Sequence, residues 1–416
     1  MNNNISIKQV FQRRSFSQIS VALLYMVHLM PLLIFVMAIN ARIGLSFLNE
    51  NLKLIISVIL VLLSITCFYK RLRWWDYVVV LGIGGFCLWS PNIYPQTTMA
   101  VGLFAPHFVL SCLPLYLVGA TVRLQEDVDL FVFIGRIGVI LNVLYCVLAL
   151  AGLTGQAGDL SEERQGMAYN LLPMVIITLC SGIKHHNELD LSLSIIGVLF
   201  LFSMGARGPV MAFVLFLFGF LFLFKDYKNA MFVRIVIIFL LWLVYLIFDV
   251  FLELLSNFAS SLGMSTRIYE MIQDTEMIST ENRDWIYDKV LDELYSNPIY
   301  GHGFFYDRII FGMEENSYAH NVFYEIFLDF GFYIGTALFV VFFGMMIWSM
   351  IKYWKTPVST LLFAFFCGYF VMFIFSGSIF RTPTFWLFLG IVVSTFRSKP
   401  QSVLESKRQI LKTKFV

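Results

Sequence analysis

The sequence predicts an all-α, polytopic membrane protein with about twelve transmembrane helices and one long outer loop carrying short amphipathic helices. Three observations carry this. Of 416 residues, 59% are hydrophobic and only 13% charged, with a mean hydropathy of +0.79, against about 45–50% apolar and about 25% charged in a soluble domain. Apolar stretches of bilayer length recur along the chain. Lysine and arginine sort between the connections as in a positive-inside protein. The composition excludes a soluble enzyme, a disordered chain and a disulfide scaffold. A net charge of +2 offers no basic stripe for nucleic acid.

A helix needs about 20 apolar residues to cross roughly 30 Å of hydrocarbon. Spans on that measure fall near Ile19–Asn40, Leu52–Tyr69, Trp74–Ile93, Val101–Val122, Asp129–Leu153 and Gly166–Ile183. Six more fall near Leu189–Met204, Pro209–Phe224, Met231–Leu255, Asn321–Met350, Pro357–Ser376 and Thr382–Phe396. The first 18 residues are polar and basic and precede a full-length apolar stretch, the pattern of a retained signal anchor. The six cysteines all lie in apolar runs, where they act as small hydrophobes, and no disulfide or zinc site is expected. Leu189 to Phe224 is 36 nearly uninterrupted apolar residues, about 54 Å as one helix. The segment must cross twice and turn at Gly205-Ala206-Arg207-Gly208-Pro209, where glycine closes one helix and proline opens the next.

With the N-terminus inside, 19 basic residues fall on the inner side and 9 outside, with Arg136 left within a span. The chain then divides into spans one to nine over 1–255, an outer loop over 256–320, spans ten to twelve over 321–397 and a tail over 398–416. Both termini are expected in the cytoplasm.

The outer loop contains an amphipathic helix from Glu281 to Leu294, with Ile286, Val290 and Leu294 as its apolar stripe. Asn297-Pro298 ends it, and Gly301-His302-Gly303 makes a turn before the chain re-enters the membrane. Seven of the nine outer cations are arginine, whereas the inner set has 8 Arg and 11 Lys. Arginine presents a rigid fork that matches phosphate oxygens in pairs. For Arg42 and Arg308 the plainer role of anchoring helix ends at the headgroups is at least as good a reading. For Arg207, in a tight turn without an acidic neighbour, a phosphate role is the better one. At the start of the tenth span, Asn321, Glu325 and Asp329 repeat at four residues and share one face. Carboxylates at that depth point into the bundle or a cavity, either as a functional site with His320 or as a hydrogen-bond network between helices. His28 and His107 read as core histidines.

These features together resemble the O-antigen polymerase and O-antigen ligase superfamily of bacterial envelope biogenesis. The resemblance rests on Ala206-Arg207-Gly208, Asn282-Arg283-Asp284-Trp285, Asn297-Pro298 through Gly301-His302-Gly303, and Ala319-His320-Asn321 with Glu325 and Gly331. It extends from about Met204 to Gly335; the first 150 residues match only in topology. It implies a GT-C-like membrane fold in the bacterial inner membrane and a metal-independent, inverting glycosyltransferase. The implied donor is a glycan on undecaprenyl diphosphate, and no cofactor is implied. Arg207 and Arg283 would hold the diphosphate, with Arg164, Arg381, His302, Asn321 and Tyr318 as further substrate-binding residues. His320 would face the acceptor hydroxyl or the leaving diphosphate. Fixed cations stabilise a departing charge, and His320, Glu325 and Glu281 are the candidate bases.

The motif-poor, Phe- and Ile-rich N-terminal half resembles that of the family's divergent polymerases, and this resemblance implies a polymerase, joining lipid-linked repeat units, over a ligase acting on lipid A–core. A chain-length regulator is an expected partner beside membrane lipid and the lipid-linked donor; nucleic acid is not. A transporter or flippase is the rival class, but the chain shows neither an internal repeat nor a midplane charge cluster. Asp127-x-Asp129 reads as a solvated helix start. The outer carboxylates Asp274, Glu276, Glu314 and Glu315 suit a solvated surface better than a metal site.

Overall fold

The computed structural model describes residues 49–150, 160–203, 207–223, 281–313, 318–354, 356–375 and 377–399, with residues 231, 235, 238, 239 and 257. Every regular element among them is helical. The first expected span, all of the ninth except residues 231, 235, 238 and 239, and the carboxylates Asp274, Glu276, Glu314 and Glu315 lie outside the described residues.

The helices follow the apolar runs. They are α1 (Asn49–Arg71), α2 (Trp74–Trp89), α3 (Thr98–His107), α4 (Leu113–Thr121), α5 (Leu124–Leu150), α6 (Leu160–His185) and α7 (Glu188–Ser203). After these come α8 (Arg207–Leu223), α9 (Glu281–Ser296), α10 (Tyr306–Ile310), α11 (Val322–Lys352), α12 (Pro357–Tyr369), α13 (Met372–Phe375) and α14 (Pro383–Arg397). Among the described residues, four helical stretches are long and apolar enough to cross a membrane: Pro95–Thr121, Met167–His185, Val322–Lys352 and Pro357–Ile374. Gly208–Phe220 and Pro383–Arg397 are shorter apolar helices.

Three expected helices are interrupted. A π-helical turn over Phe108–Cys112, just after Pro106, joins α3 to α4. Such bulges absorb an extra residue, and they often sit at functional sites. The eleventh span divides into α12 and α13. The tenth is not one straight helix: Gly331 has φ 77° and ψ 166°, so α11 breaks one-third of the way along.

The centre of the bundle is α4 against α14. A Cβ on Gly119 would sit 2.1 Å from the Leu387 carbonyl oxygen, and one on Gly390 2.2 Å from that of Tyr116. Only glycine at both positions lets the two backbones meet this closely, the device by which small residues join helices in lipid. The cation that falls within an expected span is neutralised in place. Arg136 on α5 donates from Nε and Nη2 to the two carboxylate oxygens of fully buried Asp190 on α7, at 2.5 and 2.9 Å, and Ser181 adds a third hydrogen bond at 2.7 Å. An unpaired charge buried as Asp190 is would cost several kcal/mol.

Candidate functional site

The break in α11 builds the site. A helix interrupted at Gly331 leaves backbone groups without helical partners, and segment 298–303 supplies them. The amides of His302 and Gly303 donate to the carbonyls of Leu328 and Asp329 at 2.7 and 3.0 Å, and the Phe332 amide donates to the Pro298 carbonyl at 2.9 Å. Backbone meets backbone here: a Cβ on Gly301 would lie 2.4 Å from the Gly331 nitrogen. This explains physically why Asn297-Pro298, the Gly-His-Gly turn and Gly331 occur together.

The chain then plunges inward. Phe304 and Phe305 are buried, ring to ring with Phe380 at 5.3 and 5.6 Å, and Phe108 lies among them. Phe305, with φ 63°, starts the short helix α10. The Asp329 carboxylate accepts from the Phe305 and Tyr306 amides at 3.2 and 3.3 Å and so caps that helix. Above it lies α9, the expected amphipathic helix. Val290 is fully buried against Ala319 and Leu328, and Leu294 packs on the same cluster.

At the mouth of α11, Asp307 ties two segments together. Its carboxylate accepts from the Arg308 amide at 2.9 Å and the Ala319 amide at 3.1 Å, and Arg308 Nε lies 3.8 Å away. Burial pushes the Asp307 carboxyl above the usual aspartate range, and Arg308 and the amide donors partly oppose that shift. Arg308, only 2% exposed, is held between aromatic faces, its guanidinium carbon 4.8 Å from the Tyr318 ring and 5.3 Å from that of Phe104. Tyr318 also meets His320, whose ring centroid is 3.9 Å from its own. His320 has φ 53°, a left-handed conformation that costs a non-glycine residue about 1–2 kcal/mol. Backbone strain of this kind collects where a side chain must be aimed.

The segment between α13 and α14 closes the group. Both Glu325 carboxylate oxygens face it: Ser378 donates from its hydroxyl to one, and the Ile379 amide to the other at 2.9 Å. Asn321 caps α11 by accepting from the Phe323 amide at 2.9 Å and donates to the Ile374 carbonyl at 3.2 Å. His107, at the π-helical turn, has Nε2 2.9 Å from the Arg381 carbonyl oxygen. Burial, and then the charge of Arg308, hold the Arg381 guanidinium below its ordinary value.

The structure therefore brings Tyr318, His320 and Arg381 into one neighbourhood. It gives Glu325 and Asn321 the work of holding the segment that carries Arg381. His302 stacks on Tyr306 at 4.3 Å with Nε2 3.3 Å from the Glu293 carbonyl oxygen, a wedge beneath α9. Arg207 opens α8, Arg164 lies near the start of α6, and Arg283 lies in the first turn of α9; the side chains of these three, and of Glu281, lie outside the described residues. Gly208 abuts Tyr169 of α6, and α8 packs on α13. The residue that sequence reasoning undervalued is Arg308, read equally well as a headgroup anchor. Its signal in the sequence is the adjacent Asp307, a carboxylate beside the arginine in an otherwise aromatic stretch.

Comparison with family models matches residues 192–340 to the O-antigen ligase family. No curated protein and no solved structure matches the chain. The matched range contains Arg207, Arg283, His302, Arg308, Tyr318, His320, Asn321 and Glu325 but neither Arg164 nor Arg381.

Proposed function

We propose, from the domain of the O-antigen polymerase and ligase superfamily that this chain carries, that it is a polymerase of lipid-linked surface polysaccharide. On this reading it spans the bacterial inner membrane with about twelve helices and works at the outer face. A sugar hydroxyl of one lipid-linked repeat attacks the anomeric carbon of a glycan carried on undecaprenyl diphosphate. The new C–O bond forms on the face opposite the breaking bond to phosphate, with inversion. The bonding electrons and the negative charge leave with the lipid diphosphate, and the hydroxyl proton passes to a base.

The observation that carries this reading is the stack of Arg308, Tyr318 and His320, with Arg381 close by. It sets an aimed imidazole beside fixed cations, as attack by a hydroxyl on a diphosphate-activated carbon requires. His320 is the group proposed to meet the acceptor hydroxyl. Arg207, Arg283, Arg164 and Arg381 are the proposed diphosphate ligands, joined by Arg308. Asn321, Glu325 and His302 are positioning residues, since each is engaged with the backbone of a neighbouring segment.

The test uses the purified full chain with one lipid-diphosphate-linked repeat unit. A ladder of longer glycans from that substrate alone supports the polymerase, and His320→Ala should abolish it while the protein stays folded. Product formed only when lipid A–core is added would identify a ligase instead. No glycosyl transfer with either acceptor would reject both.

A further inference from the structure

At the far end of the bundle from the His320 stack, the ends of α1, α4 and α14 meet the starts of α2 and α5 around a cavity of about 310 Å³. Five cations line it: Arg71, Arg73, Arg123, Arg397 and Lys399. Three carboxylates answer them. Arg71 lies 3.0 Å from Asp127 and 3.4 Å from Glu126, Arg123 lies 3.3 Å from Glu126, and Arg397 lies 2.5 Å from buried Asp76. The ion pairs among the described residues use neither Arg73 nor Lys399, so the cavity keeps an excess of two positive charges. Helix dipoles do not supply that charge, because the starts of α2 and α5 carry their own caps. The Arg73 amide donates to Asp76 at 2.9 Å, and the Arg123 amide to Asp127 at 3.0 Å.

The site is built. The carboxylates fix the partly buried Arg71 and Arg397 in direction, and fixed guanidinium groups bind an anion without first losing conformational freedom. Its depth is marked independently. Beside Arg73, Trp74 and Trp75 stack at 3.6 Å and are 60% and 53% exposed. Exposed tryptophans next to basic residues sit at the level of lipid headgroups, and basic pockets between helices at that level take lipid phosphates.

We propose that this cavity binds a phosphate group, with Arg73 and Lys399 supplying its unneutralised charge, Arg71 and Arg397 its fixed donors, and Arg123 a further cation at its rim. Two sources carry that chemistry: the headgroup of an anionic phospholipid, and free inorganic phosphate. The tryptophan pair at the rim favours the lipid. Bound there, the anion joins the ends of α1 and α14, two helices 326 residues apart from Arg71 to Arg397.

Native mass spectrometry of the full chain, released from detergent and titrated separately with phosphatidylglycerol, phosphatidylcholine and inorganic phosphate, tests this. Retention of phosphatidylglycerol or of phosphate, weakened about 25-fold in Arg73→Gln/Lys399→Gln, supports the site, at about fivefold per cation lost near a headgroup surface. Which of the two is retained decides the source. Lys70→Gln, an exposed cation just outside the cavity, should leave retention unchanged. Equal retention of phosphatidylcholine, or equal weakening by Lys70→Gln and the double variant, overturns it. If the double variant fails to fold, Lys399→Gln alone should still show its fivefold loss, and an unchanged affinity there overturns the proposal equally.

Discussion

Replacing Gly331 by alanine should disable the protein although no functional side chain is touched. The backbone there, at φ 77° and ψ 166°, lies in a region open essentially only to glycine, and forcing another residue into it costs about 1–3 kcal/mol. The new Cβ would stand 2.2 Å from the Ile299 carbonyl oxygen, so segment 298–303 must withdraw. Withdrawal breaks three hydrogen bonds, from the amides of His302, Gly303 and Phe332, at about 1 kcal/mol each. The total is about 4–6 kcal/mol, a fall in melting midpoint on the order of 10 °C. It also releases Phe304, Phe305 and α10, so glycosyl transfer should fall with stability. Gly344 lies on the same helix with open space where its Cβ would be, and Gly344→Ala should be neutral or gain about 0.5–1 kcal/mol. Melting of the purified chain in detergent and ladder formation from the lipid-linked repeat measure both. Equal melting points and equal activity for Gly331→Ala and Gly344→Ala would refute the reasoning.

Glu325→Ala leaves the Ser378 hydroxyl and the Ile379 amide buried without their acceptor, at about 1–3 kcal/mol each. Glu325→Gln keeps one acceptor oxygen and should retain most of the turnover; a Gln variant as inactive as His320→Ala would instead mark Glu325 as the base. For Asp307 the folded value lies above that of the unfolded chain. Its contribution to stability is therefore full below the unfolded value and declines as pH rises through the folded one. The melting point of Asp307→Asn should accordingly vary less over that pH range than that of the parent, and identical slopes would count against the shift. Arg207→Lys should shorten the polymer made in cells, since an ammonium lacks the two-pronged geometry; full-length polymer from it would remove Arg207 from the diphosphate. Turnover should also survive excess EDTA, and loss restored by Mg²⁺ or Mn²⁺ would move attention to Asp274 and Glu276.

What the sequence alone determined is what local chemistry controls. An apolar run of bilayer length makes a helix wherever it occurs, because an unpaired backbone group in hydrocarbon costs several kcal/mol. The stripe of Ile286, Val290 and Leu294 announces a buried helix face through its spacing, and α9 buries Val290 fully. The spacing of Glu325 and Asp329 placed two carboxylates on one helix face, and both are buried there, whereas Asn321, expected on the same face, caps the helix instead. Their partners were not legible. Glu325 meets a segment more than fifty residues away, and whether a carboxylate serves as a base or ties down a loop depends on which donors reach it. The break at Gly331 was equally hidden, since a helix gives up its own hydrogen bonds only where another segment replaces them. Arg308 shows the same limit. The adjacent Asp307 hints at a paired, buried arginine, but nothing in the sequence places it between Phe104 and Tyr318, because cation–aromatic contact and burial are properties of distance in space. Tertiary structure alone sets that distance.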